Sequence, residues 1–290
     1  MGTNQQRREA AKRKLERQLA RRAERAKRRK IIGIGAAVGV VVLAAGLIVV
    51  FTGQDEDEGA ANAQGEASSS AAPSDNAAPS EDVSIPTQRV EPVERSEPLP
   101  NPTTCEYPEN GQAAKQVNAP NGQNVPSEGT VDITLSSTAG DIPITLDRSL
   151  APCTVNSFES LVEQDYYTDT ACHRLGTQGL QMLQCGDPTG QGSGGPGYTF
   201  ADETHQGLKY GRGILAMANA GPDTNGSQFF MVYGEAELPP DYTVFGSISD
   251  EGLKVLDKVA KAGHDGSLDP SPGGGKPNTE VRFTDVSING

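Results

Sequence analysis

The chain of 290 residues has no tryptophan, three histidines, four cysteines and only 5% aromatic residues. With His173, His205 and His264 as the sole imidazoles, and no Cys-x-x-Cys pair, a catalytic zinc site is not expected. No metal and no cofactor is expected. A Gly-x-Ser-x-Gly elbow is missing, which removes one large class of serine hydrolases. The glycine-rich stretch 189–197 (TGQGSGGPG) lacks the GxxxxGK[ST] pattern and any strand–helix setting, so it reads as a loop and not as a phosphate cradle. No internal repeat of 20–50 residues is found, which argues against a solenoid or propeller.

What is present is divided unevenly. The first thirty residues hold 13 Lys/Arg and 3 Glu, a formal +10, so the remainder carries −13 − 10 = −23. The basic segment has no base-reading aromatic and no recognised DNA-binding motif, so no specific nucleic acid is expected. Ile31 to Phe51 is an uncharged apolar run of 21 residues, enough at about 1.5 Å per residue to span a bilayer core of roughly 30 Å. It is longer than the apolar core of a cleaved signal peptide, although Ala61-Asn62-Ala63 mimics a cleavage site. Basic residues before it and Asp55 to Glu58 after it predict a single-pass anchor in the cytoplasmic membrane, N-terminus inside, with everything beyond Phe51 on the extracytoplasmic side. Residues 52–104, dominated by Ala, Ser, Pro and Glu, are expected to be a disordered linker, and 105–128 a lead-in without assigned strands.

The remainder, 129–290, reads as a folded domain. Val131 to Leu135 and Ile142 to Leu146 alternate around Ala139-Gly140-Asp141 as a hairpin. Pro152 to Val162 has helical spacing behind a proline, and Gly252 to Ala262 is a second amphipathic helix. Thr170 to Leu175, Gln228 to Val232, Val244 to Ile248 and Val281 to Val286 read as strands. These elements define a mostly β, β-rich α+β domain. Four cysteines on the extracytoplasmic side favour two disulfides among Cys105, Cys153, Cys172 and Cys185, with three connectivities open. Pairing Cys172 with Cys185 across a hairpin leaves Cys105 for Cys153. Direct opposition of Cys172 and Cys185 puts Arg174 and Gln184 on opposite faces unless a bulge intervenes.

The stretch Gly213 to Val232, GILAMANAGPDTNGSQFFMV, organises the domain. Ala216, Ala218 and Ala220 lack bulk, so another chain can approach the backbone at Asn219, while Gln228 and Phe230, two apart on a strand, share a face. This stretch, with His173-Arg174 and Gln184-Cys185-Gly186-Asp187, closely resembles the signature of the cyclophilin-type peptidyl-prolyl cis-trans isomerases, and the resemblance runs from about Gly129 to Asn289. It implies a closed eight-stranded barrel covered by two helices, probing proline-containing polypeptides as a monomer. By resemblance Arg174 and Gln184 are catalytic, the arginine stabilising the twisted amide and the glutamine orienting it. Met182, Phe230 and Leu238 then hold the proline ring, Asn219 between Ala218 and Ala220 supplies backbone contacts, and Gln228 and Tyr242 complete the groove. The chain departs from the common pattern in three places. The interval from Arg174 to Gln184 is two residues longer, Gln181 stands where phenylalanine is usual, and Glu237 and Tyr242 stand near positions often held by tryptophan and histidine. A non-catalytic module gripping proline segments in the same groove is the competing expectation.

Overall fold

The computed structural model describes residues 83–289, and all statements below concern these. The hairpin forms as its alternation predicts. Strands β1 (Thr130–Ser137) and β2 (Gly140–Asp147) pair antiparallel, with Ile133, Leu135, Ile142, Ile144 and Leu146 turned inward. Helix α1 (Pro152–Glu163) follows with proline in its first turn. Its N-cap residue Ala151 has no capping side chain. The Glu203 carboxylate substitutes, accepting from the Cys153 and Thr154 amides at 3.0 and 2.8 Å. An anion at a helix N-terminus meets the positive end of the helix dipole. Burial raises the Glu203 pKa, against the pull of those amides and of Arg95.

Strands β3 (Arg174–Gly176), β4 (Leu180–Cys185), β5 (Ile214–Met217), β6 (Phe229–Ala236), β7 (Val244–Ile248) and β8 (Phe283–Asn289) complete one sheet ordered β3-β4-β6-β5-β7-β2-β1-β8. Helix α2 (Asp250–Ala262) carries Ser249 as N-cap, acidic residues in its first turn and Gly263 at positive φ after its end. Phe158 of α1 packs on Tyr167, Phe229 and Phe245, placing the core between helix and curled sheet.

Two expectations need correction. The closed barrel is a curled half-barrel: β3 and β8 share no ladder, and only an isolated bridge between Ala171 and Arg282 links their approaches. The strand expected from Thr170 is accordingly only three residues long, because its first part bonds singly to Val281 and Phe283. The linker, expected to lack order as far as 104, is packed from 83 onward. It has no helix or strand, yet Ile85 and Val90 rest on the core and the Val90 amide donates to Arg212 O at 2.8 Å. Arg95 donates to the carbonyls of Leu150 and Glu203. The run Ile31–Phe51 lies outside the described residues, and among those described no helix is long and apolar enough to cross a membrane.

Both disulfides form, Cys105–Cys153 and Cys172–Cys185. The bulge that the second requires is present. Arg174 is the register partner of Gln184, yet the His173 amide also donates to Gln184 O at 3.1 Å, so two residues oppose one. Cys172 thereby meets Cys185 while Arg174 and Gln184 keep a common face.

Candidate active site

Strand register assembles the site. Arg174 pairs with Gln184, Gln184 with Phe230, and Phe230 with Ala216, so one row crosses β3, β4, β6 and β5. Directly opposed residues share a face. Phe229 points into the core against Phe158 and Phe283, so Phe230 and its row point the other way. Met182 and Val232, also register partners, lie on that face two residues along. Phe230 is covered by the Tyr242 ring, centroids 5.7 Å apart and nearly perpendicular, and Tyr242 is steadied by Tyr210, whose hydroxyl bonds to the Tyr242 main chain. Leu238, partly buried on the β6–β7 connection, packs against the core.

Hydrogen bonds link the polar members in series. The Arg174 guanidinium donates from Nη1 to Gln184 Oε1 at 3.4 Å, Gln184 Nε2 donates to Gln228 Oε1 at 3.0 Å, and Gln228 Nε2 donates to Gly194 O at 3.0 Å. The first link is long. The stronger constraints on Arg174 come from the loop after α2, where Pro272 O and Gly273 O accept from Nη2 and Nε at 2.6 and 3.0 Å. Burial lowers the Arg174 pKa, with Tyr242 opposing, but a guanidinium stays charged at any physiological pH. The His173 pKa is pushed below its usual 6.5 by burial, with Asp187 opposing and Arg174 adding to the effect, which favours the neutral imidazole.

The glycine loop is tied down by Asp187. Its buried carboxylate accepts from the Thr189, Ser193 and Gly194 amides and the Thr189 hydroxyl. Burial works to raise its pKa, but these bonds win and hold it below the usual carboxylate value. A Cβ at Gly194 overlaps the carboxylate, so glycine is required there.

Asn219 uses its side chain to hold the walls together. Nδ2 donates to Asp241 O at 3.0 Å and Oδ1 accepts from the Gly221 amide. The amides of its neighbours are occupied, Ala218 by Gln228 O and Ala220 by Thr224 Oγ1. The Asn219 main chain makes no hydrogen bond among the described residues, which leaves it open to a ligand. Gln181, in place of the usual phenylalanine, does not reach the row. Its amide accepts from the Glu235 N–H in an irregularity of β6 and donates to Ser84 O.

The structure therefore brings Arg174, Gln184, Met182, Gln228, Phe230 and Tyr242 to one face, with Ala218, Asn219 and Ala220 along a groove of about 570 Å³ beside Gln184 and Gln228. Sequence reasoning missed the Pro272 and Gly273 carbonyls, Gly194 and Tyr210. The first three act through main-chain atoms, which leave no mark in a sequence; Ala216, noted only as small, turns out to stand opposite Phe230. Among the described residues no group of His, Cys, Asp and Glu is placed to hold a metal ion.

The family profile described as "Cyclophilin type peptidyl-prolyl cis-trans isomerase/CLD" matches residues 130–287, and the chain belongs to that family of enzymes, which interconvert cis and trans X-Pro bonds. It is 46% identical over 303 aligned residues to the "Probable peptidyl-prolyl cis-trans isomerase B" of Mycobacterium leprae (strain TN), covering 99% of this chain and 100% of the relative. The protein of the same description from Mycobacterium tuberculosis (strain ATCC 25618 / H37Rv) is 47% identical over 199 residues, 63% of each chain. A crystal structure of a Cryptosporidium parvum cyclophilin type isomerase aligns with a TM-score of 0.48 at 34% identity, covering 56% of this chain and 99% of that one.

Proposed function

We propose that this isomerase acts by electrostatic stabilisation of a twisted X-Pro amide, with Arg174 as the group that does so, on polypeptides outside the cytoplasmic membrane. Rotation about an X-Pro bond meets a barrier of about 18–20 kcal/mol because the nitrogen lone pair is delocalised into the carbonyl. As the bond twists, the lone pair localises on nitrogen. A fixed cationic donor beside that nitrogen favours the twisted state over either planar one, and no nucleophile, metal or proton transfer is needed. The observation that carries this reading is the guanidinium itself, fixed through Nε and Nη2 by two loop carbonyls, its Nη1 turned toward Gln184 in the row that holds Phe230. Phe230, Met182 and Leu238 take the proline ring, and the free main chain of Asn219 takes the residues before it.

The setting rests on two features. The charge pattern around Ile31–Phe51 favours an anchor with its basic side inside. Both disulfides suit an oxidising compartment. A protease-coupled assay of a proline peptide with the full-length chain tests the chemistry, and a rate equal to the uncatalysed one rejects it. Fractionation tests the setting: a full-length form in the membrane fraction, digested by protease added from outside, supports it, and a chain starting near Gln64 in the medium refutes it.

A further inference from the structure

Residues 105–114 precede the stretch that matches the family profile, yet they build one side of the groove. Their position is fixed at several points. Cys105 is bonded to Cys153 at the start of α1, and the Tyr107 hydroxyl donates to Cys153 O at 2.7 Å. The Tyr107 ring packs edge-on against Tyr198 and Phe200. Beyond it the segment runs along the glycine loop: Thr199 N donates to Pro108 O, Asn110 N to Gly197 O at 2.8 Å and Ala114 N to Gly195 O at 2.9 Å. Gly197, at φ +86°, has space for no side chain against Ala113. Asn110 and Gln112 thus line the same groove as Gln184, Gln228, Asn219 and Thr224, with Asn110 Nδ2 donating to Thr199 Oγ1 at 3.5 Å.

The lining is mainly polar and uncharged. Amides, hydroxyls and glycine main chain supply donors and acceptors beside the small apolar groups of Pro196, Ala218 and Ala220, and among the described residues no ionisable side chain except the Tyr198 phenol lines the groove. An aliphatic side chain entering it displaces water from amides without replacing the hydrogen bonds. An ionised one loses hydration without gaining a counter-charge. An uncharged side chain that both donates and accepts satisfies the lining on each side.

We propose that Asn110 and Gln112 are specificity-determining residues, forming with Gln184 and Gln228 a subsite that selects a carboxamide side chain on the peptide ahead of the proline. This rests on the reading above, in which Asn219 receives the residues before the proline. Because Gln228 bonds to Gln184 and Gln184 accepts from Arg174 Nη1, occupancy of the subsite bears on the amides that end at the guanidinium.

The test uses the full-length chain and peptides Xaa-Ala-Pro-Phe with Xaa as Gln, Leu, Glu or Lys. For wild type, kcat/KM for the Gln peptide should exceed that for Leu by about fivefold, the worth of one ordinary hydrogen bond. In Asn110→Ala/Gln112→Ala that ratio should fall by threefold or more. Charge placed at the wall should act with opposite signs: Gln112→Lys raises the Glu:Lys preference and Gln112→Glu lowers it, each about threefold, as for a surface pair. A wild-type Gln:Leu ratio within twofold of one overturns the proposal, as does a ratio unchanged in the double variant or charge variants that move the preference in the same direction. The same ratios read as Kd by calorimetry decide the matter independently of turnover, so failure of Arg174 chemistry and failure of the subsite give different results.

Discussion

Replacing Arg174 probes the mechanism most directly, because its three hydrogen-bonding nitrogens have separable duties. Nε and Nη2 are engaged by Gly273 O and Pro272 O, and only Nη1 turns to Gln184, at 3.4 Å. Arg174→Ala removes the cation and the donor together. A hydrogen bond to a charged group contributes about 1.5–3 kcal/mol, and this one is called upon as the nitrogen lone pair localises, so kcat/KM should fall about 10- to 150-fold. KM should change little, since the planar substrate gains less from the cation than the twisted state does. The two released carbonyls belong to a surface loop where water replaces the guanidinium, so the stability loss should stay near 1 kcal/mol. Arg174→Lys should recover part of the rate: one ammonium cannot satisfy both loop carbonyls and also face the groove. The assay is protease-coupled turnover of an Ala-Pro peptide, read beside urea unfolding of each variant. Full activity in Arg174→Ala rejects the electrostatic mechanism, and loss of cooperative unfolding shows that the arginine serves the fold instead.

Asp187→Asn should lower stability at pH 7, because the carboxylate pKa is depressed in the folded state; that contribution is present above the usual value of 3.8 and fades as pH drops through the depressed one, so the Tm gap between wild type and variant should narrow as the pH is taken below 3.8. With His173 held below its usual 6.5 and Arg174 charged throughout, kcat/KM should be flat from about pH 6.5 to 9, and a bell-shaped profile contradicts a mechanism without proton transfer. A chain starting at residue 105 should be less stable to urea than one starting at 83, since it loses the Val90 and Arg95 contacts; equal midpoints refute the packed segment. Loop-closure arithmetic ranks the disulfides: a separation of 48 residues gives about 4 kcal/mol for Cys105–Cys153 and 13 gives about 3 for Cys172–Cys185, checked by urea unfolding of the two Cys→Ser pairs.

Where a pattern is local, the fold was legible in the sequence. Alternation over residues 131–146 located β1 and β2, the Val244–Ile248 strand has the expected bounds, and Pro152 opens α1. The segment 83–104 was not legible, because its few apolar residues stand alone among prolines and charges and meet partners such as Arg212 and Glu203 more than a hundred residues away. The cap of α1 was hidden for the same reason: Ala151 offers nothing and Glu203 comes from another loop. In the candidate site, parity placed Gln228 and Phe230 on one face, and Gln184, the register partner of Phe230, donates to the Gln228 side chain on that face. Parity also flagged the conflict between Cys172–Cys185 and the Arg174–Gln184 pair, but only the doubled hydrogen bonding at Gln184 showed how a bulge resolves it. What holds the arginine, the carbonyls of Pro272 and Gly273, had no signature at all, since every residue type carries a carbonyl.

The row Arg174, Gln184, Phe230 and Ala216 is drawn from four strands whose order in space is not their order along the chain. No fragment lacking one of them has the site, and β5 reaches its place only by inserting between β6 and β7. Turnover during refolding is therefore an all-or-none reporter of the finished sheet: helix content and collapse can return early, but an X-Pro isomerase has no activity to lend its own chain until that chain's sheet is complete.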